Sequence, residues 1–166
     1  KALKADGFDV TIANAGVSGD TTTAGLARLD WSVPDGTDFV ILELGANDGL
    51  RGLDPQATYD NLDAILARLT GQERLPVLIA GMLAPPNLGR EYGEAFNAVF
   101  PRLAKKYDAP FYPFFLEGVA MEPALNQSDG IHPNAAGVAE IVKRIKPHVV
   151  RLLESRDLAG RQDAGN

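Results

Sequence analysis

Two apolar runs constrain this chain most: Phe39-Val40-Ile41-Leu42-Glu43-Leu44 and Pro76-Val77-Leu78-Ile79-Ala80-Gly81. Each is short and nearly continuous, which is the pattern of a strand buried on both faces. Between them, Tyr59, Leu62, Ile65, Leu66 and Leu69 recur at helical spacing. Asp54-Pro55 precedes that stretch, an N-cap followed by proline at the first helical position. A β-rich run over Phe8–Ala13 comes earlier, then a helix to about Trp31 with Leu26 and Leu29 inward. Later come a helix with Tyr92, Phe96, Val99, Phe100 and Leu103 on one face and a short strand over Ala109–Pro113. The last predicted helix is capped by Asn134, with Val138, Ile141, Val142, Ile145 and Val149 inward. Residues 114–127 read as irregular or briefly helical, and 158–166 as a frayed tail. Strands alternating with helices predict an α/β chain, a parallel sheet covered by helices on both faces. Such sheets hold ligands at the carboxyl ends of their strands.

With 166 residues, 45% of them apolar, residues 1–166 are expected to form a single domain. The net charge of −6 lacks the basic footprint of a nucleic-acid binder. Zero cysteines exclude disulfides, thiolate catalysis and cysteine-held metals. No stretch reaches the roughly 18 apolar residues of a membrane span. Lys1–Gly7 reads as the last turn of a helix closed by a glycine, so the natural start is expected upstream.

Three loops carry the residues capable of chemistry. Asp129-Gly130-Ile131-His132-Pro133 places a carboxylate three residues before an imidazole. That spacing lets Asp129 hold His132 Nδ1, fixing the tautomer and stabilising the imidazolium. It serves equally a plain turn in which Asp129 caps backbone amides. Gly45-Ala46-Asn47-Asp48-Gly49 follows a predicted strand, and an Asn amide there can donate to an oxyanion while Asp48 braces the loop. It reads as an ordinary turn just as well. In Asn14–Thr22, Gly19 can aim a backbone N–H at a substrate oxygen, and Asp20 or Thr21 can cap the next helix. No Gly-Lys-Ser/Thr ending marks a phosphate loop. A cation held by Asp48, Asp129 and His132 has a poor ligand set, and no metal is expected. His148, after Pro147, reads as a surface or packing residue. Of Ser18, Ser32, Ser128 and Ser155, none lies in a Gly-x-Ser-x-Gly elbow.

Taken together and in order, Gly16-Val17-Ser18-Gly19-Asp20-Thr21, Gly45-Ala46-Asn47-Asp48 and Asp129-Gly130-Ile131-His132-Pro133 resemble the SGNH (GDSL) hydrolase superfamily. Leu42–Gly52, Tyr92–Asn97 and Pro113-Phe114-Phe115 resemble its bacterial arylesterase and thioesterase/lysophospholipase branch. The resemblance implies a three-layer αβα fold with a flavodoxin-like parallel sheet. It implies His132 as general base, Asp129 as its orienting acid, and Gly19 and Asn47 as oxyanion donors. No cofactor is implied. The family's Gly-Asp-Ser block, at the end of its first strand, is absent from residues 1–166. The nucleophilic serine and the first strand are therefore expected upstream of Lys1, on an N-terminal fragment or supplied by a second copy. The expected substrate is a small acyl ester: an aryl ester, thioester or lysophospholipid. Met82, Ala84, Pro85 and Leu88, in an apolar loop after a strand, are the candidate acyl-lining residues, with simple loop packing as the other reading. Localisation stays open, exported relatives pointing to the periplasm or secretion. A carbohydrate deacetylase on the same core and a non-catalytic binding module are the alternatives.

Overall fold

A computed structural model describes residues 1–163, with side chains through Ser155. The chain packs as two compact units, Ile12–Phe114 and Lys1–Thr11 with the described part of Phe115–Asn166.

The first of these units is built on a parallel sheet of three strands in the order β1-β2-β3. They are β1 (Val40–Glu43), β2 (Val77–Ala80) and β3 (Phe111–Tyr112). Val40 lies opposite Val77, and Ile79 opposite Phe111. β2 is buried throughout, as its sequence predicts. β1 is not: Ile41 and Glu43, which share one face of the strand, are exposed, and β1 pairs only with β2 among the described residues. The expectation of a strand buried on both faces is corrected here. Phe8–Ala13 forms no strand either. It finds no ladder partner, and Ile12 is left 72% exposed. A β-rich segment needs a neighbour before its amide and carbonyl groups can pair.

The helices follow their local signals more closely. Helix α1 (Ala2–Ala5) belongs to the other unit. Helix α2 (Thr22–Ala27) is capped by Thr21 Oγ1, which accepts from the Ala24 N–H at 3.3 Å. The predicted single helix to Trp31 breaks at Arg28, and α3 (Leu29–Ser32) follows with Leu29 buried. The Gly45–Gly49 turn is instead a one-turn helix, α4 (Ala46–Leu50). Helix α5 (Pro55–Ala67) begins as predicted, with Asp54 Oδ1 accepting from the Gln56 N–H at 2.9 Å. It buries Leu62, Ile65 and Leu66 and packs against α2, α6 (Arg90–Asn97) and α7 (Val99–Tyr107). α6 and α7 divide, at Ala98, what the pattern predicts as one helix. Tyr92, Phe96 and Phe100 form an aromatic column, stacked and then edge-on, at 5.9 and 5.6 Å between centroids.

In the second unit, α1 ends in a Schellman motif: Phe8 N–H donates to Leu3 C=O and Gly7 N–H to Lys4 C=O. Helix α8 (Ala135–Asp163) packs against α1 and against a short 3₁₀ turn, Pro123–Leu125. Asn134 caps α8 as predicted, its Oδ1 accepting from Ala136 and Gly137 at 2.9 and 3.1 Å. Ile141 and Val149 face inward, but Val138 and Val142 are exposed. The apolar stripe is thus narrower than the pattern predicts. The helix also continues through 158–163, where a frayed tail was expected, because Arg151–Ala159 is rich in strong helix formers. Residues 164–166 lie outside the described residues.

Candidate active site

The loop carrying Asp129 and His132 is closed by backbone before either side chain acts. Asn126 and Pro133 form an antiparallel bridge, and Gln127 N–H donates to His132 C=O at 2.7 Å. Buried Asn126 anchors the base of the loop, its Nδ2 donating to Val119 C=O and Glu122 C=O at 2.7 and 2.8 Å. Asp129 then performs both of the roles its spacing allows. Its Oδ1 accepts from the Ile131 and His132 N–H groups at 2.9 and 3.0 Å. Its Oδ2 meets His132 Nδ1 at 2.8 Å. With Nδ1 as donor to the carboxylate, Nε2 carries the free lone pair. The His132 side chain is 63% exposed, so Nε2 can exchange protons with a substrate.

The His132 and Ile131 amides, followed by the imidazole, pull the Asp129 carboxyl down to about 2 from its ordinary 3.8. A depressed folded pKa adds stability that is present above the unfolded value and lost as pH falls through about 2. Asp129 therefore remains ionised at pH 3. A ¹³C-carboxyl NMR titration is expected to show its midpoint near 2, and a midpoint near 3.8 would contradict the three-bond cradle.

Gly19 and Asn47 lie in the other unit, Gly19 on the loop that precedes α2 and Asn47 in α4, which follows β1. Gly45 opens α4 at φ +113°, a conformation that L side chains rarely adopt, and a Cβ there would come 3.1 Å from Phe100. The glycine therefore lets α4 turn sharply off the carboxyl end of β1 and seat against the aromatic column. Asn47 Nδ2 donates to Asp20 C=O at 3.0 Å, which engages one amide hydrogen and leaves the other available. Gly19 sits at φ +86°, and its N–H donates to no protein acceptor among the described residues.

Asp48 ties these two loops together from beneath. It is 2% exposed, and its oxygens accept from Thr22 N–H at 2.8 Å and Thr22 Oγ1 at 2.5 Å. Thr58 Oγ1 approaches at 3.4 Å. Asn61 Nδ2 donates to Thr22 Oγ1 and Thr23 Oγ1. Above them, Arg28 Nε meets Asp20 Oδ2 at 2.5 Å, and Arg51 Nη2 donates to Gly19 C=O at 2.9 Å. The sequence reading missed Thr22, Arg28, Asn61 and Arg51. Only Arg51 had a usable signal, its i+4 relation to Asn47, which a turn assignment over 45–49 conceals.

The acyl-lining candidates separate. Met82 is 6% exposed and belongs to the core, while its neighbour Leu83 is 46% exposed. Ala84 and Pro85 are half-buried, and Asn97 Oδ1 pins their loop by accepting from Ala84 N–H at 2.8 Å. Leu88 lines a cleft of about 500 Å³ together with Pro55, Tyr92 and Ala95. Among the described residues, no cluster of three acidic or histidine side chains has metal-binding geometry. Nor is any helix among them long and apolar enough to cross a membrane.

Residues 1–139 match the GDSL-like Lipase/Acylhydrolase family. The chain belongs to this family. Within it, the chain is 46% identical over 125 residues to the thioesterase 1/protease 1/lysophospholipase L1 of Escherichia coli K12. That match takes in 75% of this chain and only 60% of the E. coli protein. The Pseudomonas aeruginosa esterase TesA is 40% identical over 154 residues, covering 92% of this chain and 76% of that protein. Among solved structures, the SGNH-hydrolase family esterase AlinE4 superposes with a TM-score of 0.74 at 48% identity, covering 92% of this chain and 82% of AlinE4. The GDSL-like chain therefore has the three-layer α/β fold of the SGNH hydrolases.

Proposed function

We propose that this GDSL-like chain supplies the acid–base and oxyanion parts of a serine ester hydrolase acting on small acyl esters of aryl, thioester or lysophospholipid type. The observation that carries the reading is the 2.8 Å Asp129 Oδ2–His132 Nδ1 pair with Nε2 left free. The nucleophile is a serine N-terminal to Lys1. The feature that supports that assignment is that residues 1–166 contain no Gly-Asp-Ser block, which in the family lies at the end of the first strand.

In this mechanism the serine Oγ attacks the acyl carbonyl as His132 Nε2 takes its proton. Asp129 holds the resulting imidazolium. The oxyanion accepts from Gly19 N–H and from the free amide hydrogen of Asn47. Collapse expels the alcohol, phenol or thiol, protonated by His132. Water then attacks the acyl-enzyme with His132 again as base, releasing the acid and restoring the serine.

The test is intact-mass analysis of the full-length protein after incubation with a fluorophosphonate. One adduct on a serine N-terminal to Lys1 is expected. With no adduct, the reading falls and a non-catalytic module replaces it. Asn47→Ala is expected to lower kcat by about 10²- to 10³-fold with KM little changed, because its second hydrogen bond strengthens only in the transition state. Steady-state kinetics on a p-nitrophenyl ester check this, and an effect confined to KM would contradict the oxyanion role.

A further inference from the structure

Arg51 follows Asn47 by four residues and is the C-cap of α4, so the two side chains share one face. They hold two consecutive carbonyls of the facing loop. Arg51 Nη2 takes Gly19 C=O at 2.9 Å, and Asn47 Nδ2 takes Asp20 C=O at 3.0 Å. The loop does little to hold itself at this point. Its own bonds are Gly16 N–H to Asn14 Oδ1 at 3.1 Å and Asp20 N–H to Val17 C=O at 3.3 Å, neither of them made by Gly19. Gly19, at φ +86°, is the residue with the most freedom to turn its peptide away. The salt bridge from Arg28 and the Thr22–Asp48 bonds fix the chain from Asp20 onward, and Arg28 Nη1 holds Ala15 C=O at 2.8 Å further upstream, so none of these reaches Gly19. Arg51 is therefore the side chain that fixes Gly19 itself. Being exposed, Arg51 adds little to the core.

We infer that Arg51 is a positioning residue: by holding the Gly19 carbonyl it fixes the Gly19–Asp20 peptide plane and with it the Gly19 Cα, and so restricts where the Gly19 N–H, on the other side of that Cα, points together with Asn47 before a substrate arrives. The inference rests on Gly19 and Asn47 being the oxyanion donors. Donors fixed in advance need no reorganisation when charge develops, so the loss on releasing one falls on the chemical step. Arg51 does not touch the reacting atoms. A lysine of similar reach can restore a single N–H···O bond to the carbonyl, whereas a methionine keeps the stem and no donor.

The experiment measures p-nitrophenyl acetate hydrolysis and thermal stability for the full-length protein and its Arg51→Met, Arg51→Lys and Asn47→Ala variants, with the Arg51→Met/Asn47→Ala double variant. Arg51→Met is expected to lower kcat roughly tenfold to a hundredfold, with KM within about twofold and Tm nearly unchanged. Arg51→Lys recovers part of that loss. In the double variant Arg51→Met costs less than it does alone, because the two side chains act as one unit. An unchanged kcat in Arg51→Met beside an impaired Asn47→Ala overturns the inference and leaves the oxyanion reading intact. Unimpaired Asn47→Ala overturns both. A rise in KM alone makes Arg51 a substrate contact, and a collapse of Tm makes it a structural residue. Either of those outcomes also overturns the inference.

Discussion

His132→Ala leaves the full-length protein folded and lowers ester-hydrolysis kcat by roughly 10⁴-fold or more. The fold survives because the imidazole is 63% exposed and has Asp129 as its hydrogen-bonding partner. The loop is held by main chain: the Gln127 N–H to His132 C=O bond and the His132 N–H to Asp129 Oδ1 bond both persist in alanine. The backbone amides also remain the larger cause of the low Asp129 pKa, so the carboxylate stays ionised without its histidine. Activity is lost because, in the proposed mechanism, His132 is the group that takes the nucleophile's proton. Circular dichroism and thermal melting should match the parent. Residual activity within tenfold of the parent would sink the triad.

Asp48→Ala is expected to destabilise the protein by about 2–4 kcal/mol, a fall in Tm of about 10 °C. Thr22 is 0% exposed, and removing Asp48 strands both its N–H and its hydroxyl away from water. Each stranded donor costs about 1–3 kcal/mol. Asp48→Asn is nearly isosteric but is expected to lose part of the same stability, because its amide offers one acceptor oxygen where two are used. The change also frees the loop that bears Gly19 from the helix that bears Asn47, so kcat falls with Tm. Urea titration of both variants measures the loss, and an unchanged midpoint would show that Asp48 does not tie the loops.

The sequence made some of this legible and hid the rest for physical reasons. Asp54-Pro55 and Asn134 predicted helix starts correctly because capping is local: donor and acceptor lie within three residues. The buried run at β2 was readable because β2 is the central strand and is buried on both faces, with α7 packed against it. The same apolar signal at β1 and at Phe8–Ala13 overstated burial, since composition records an affinity for a partner and not whether one is present. The loops of the site were visible as glycine-rich clusters. α4 was not, because five residues of Ala, Asn, Asp, Gly and Leu resemble a turn, and its helical geometry depends on Gly45 fitting beside Phe100. Once that turn of helix is missed, the shared face of Asn47 and Arg51 disappears with it. The Thr22–Asp48–Asn61 cluster spans up to 39 residues and left no local trace.

The division of the chain into units also sets an order of events during synthesis. Ile12–Phe114 is continuous, so the sheet and the segments that bear Gly19 and Asn47 can consolidate while later residues are still being translated. The unit that holds His132 is assembled from segments far apart in sequence, as the Lys146 Nζ–Asp6 Oδ2 pair at 2.6 Å across 140 residues illustrates. Lys1–Thr11 must wait for α8 to emerge from the ribosome. A nascent chain thus lacks the Asp129–His132 pair until well after Ile12–Phe114 has been made, and the two halves of the proposed site mature at different times.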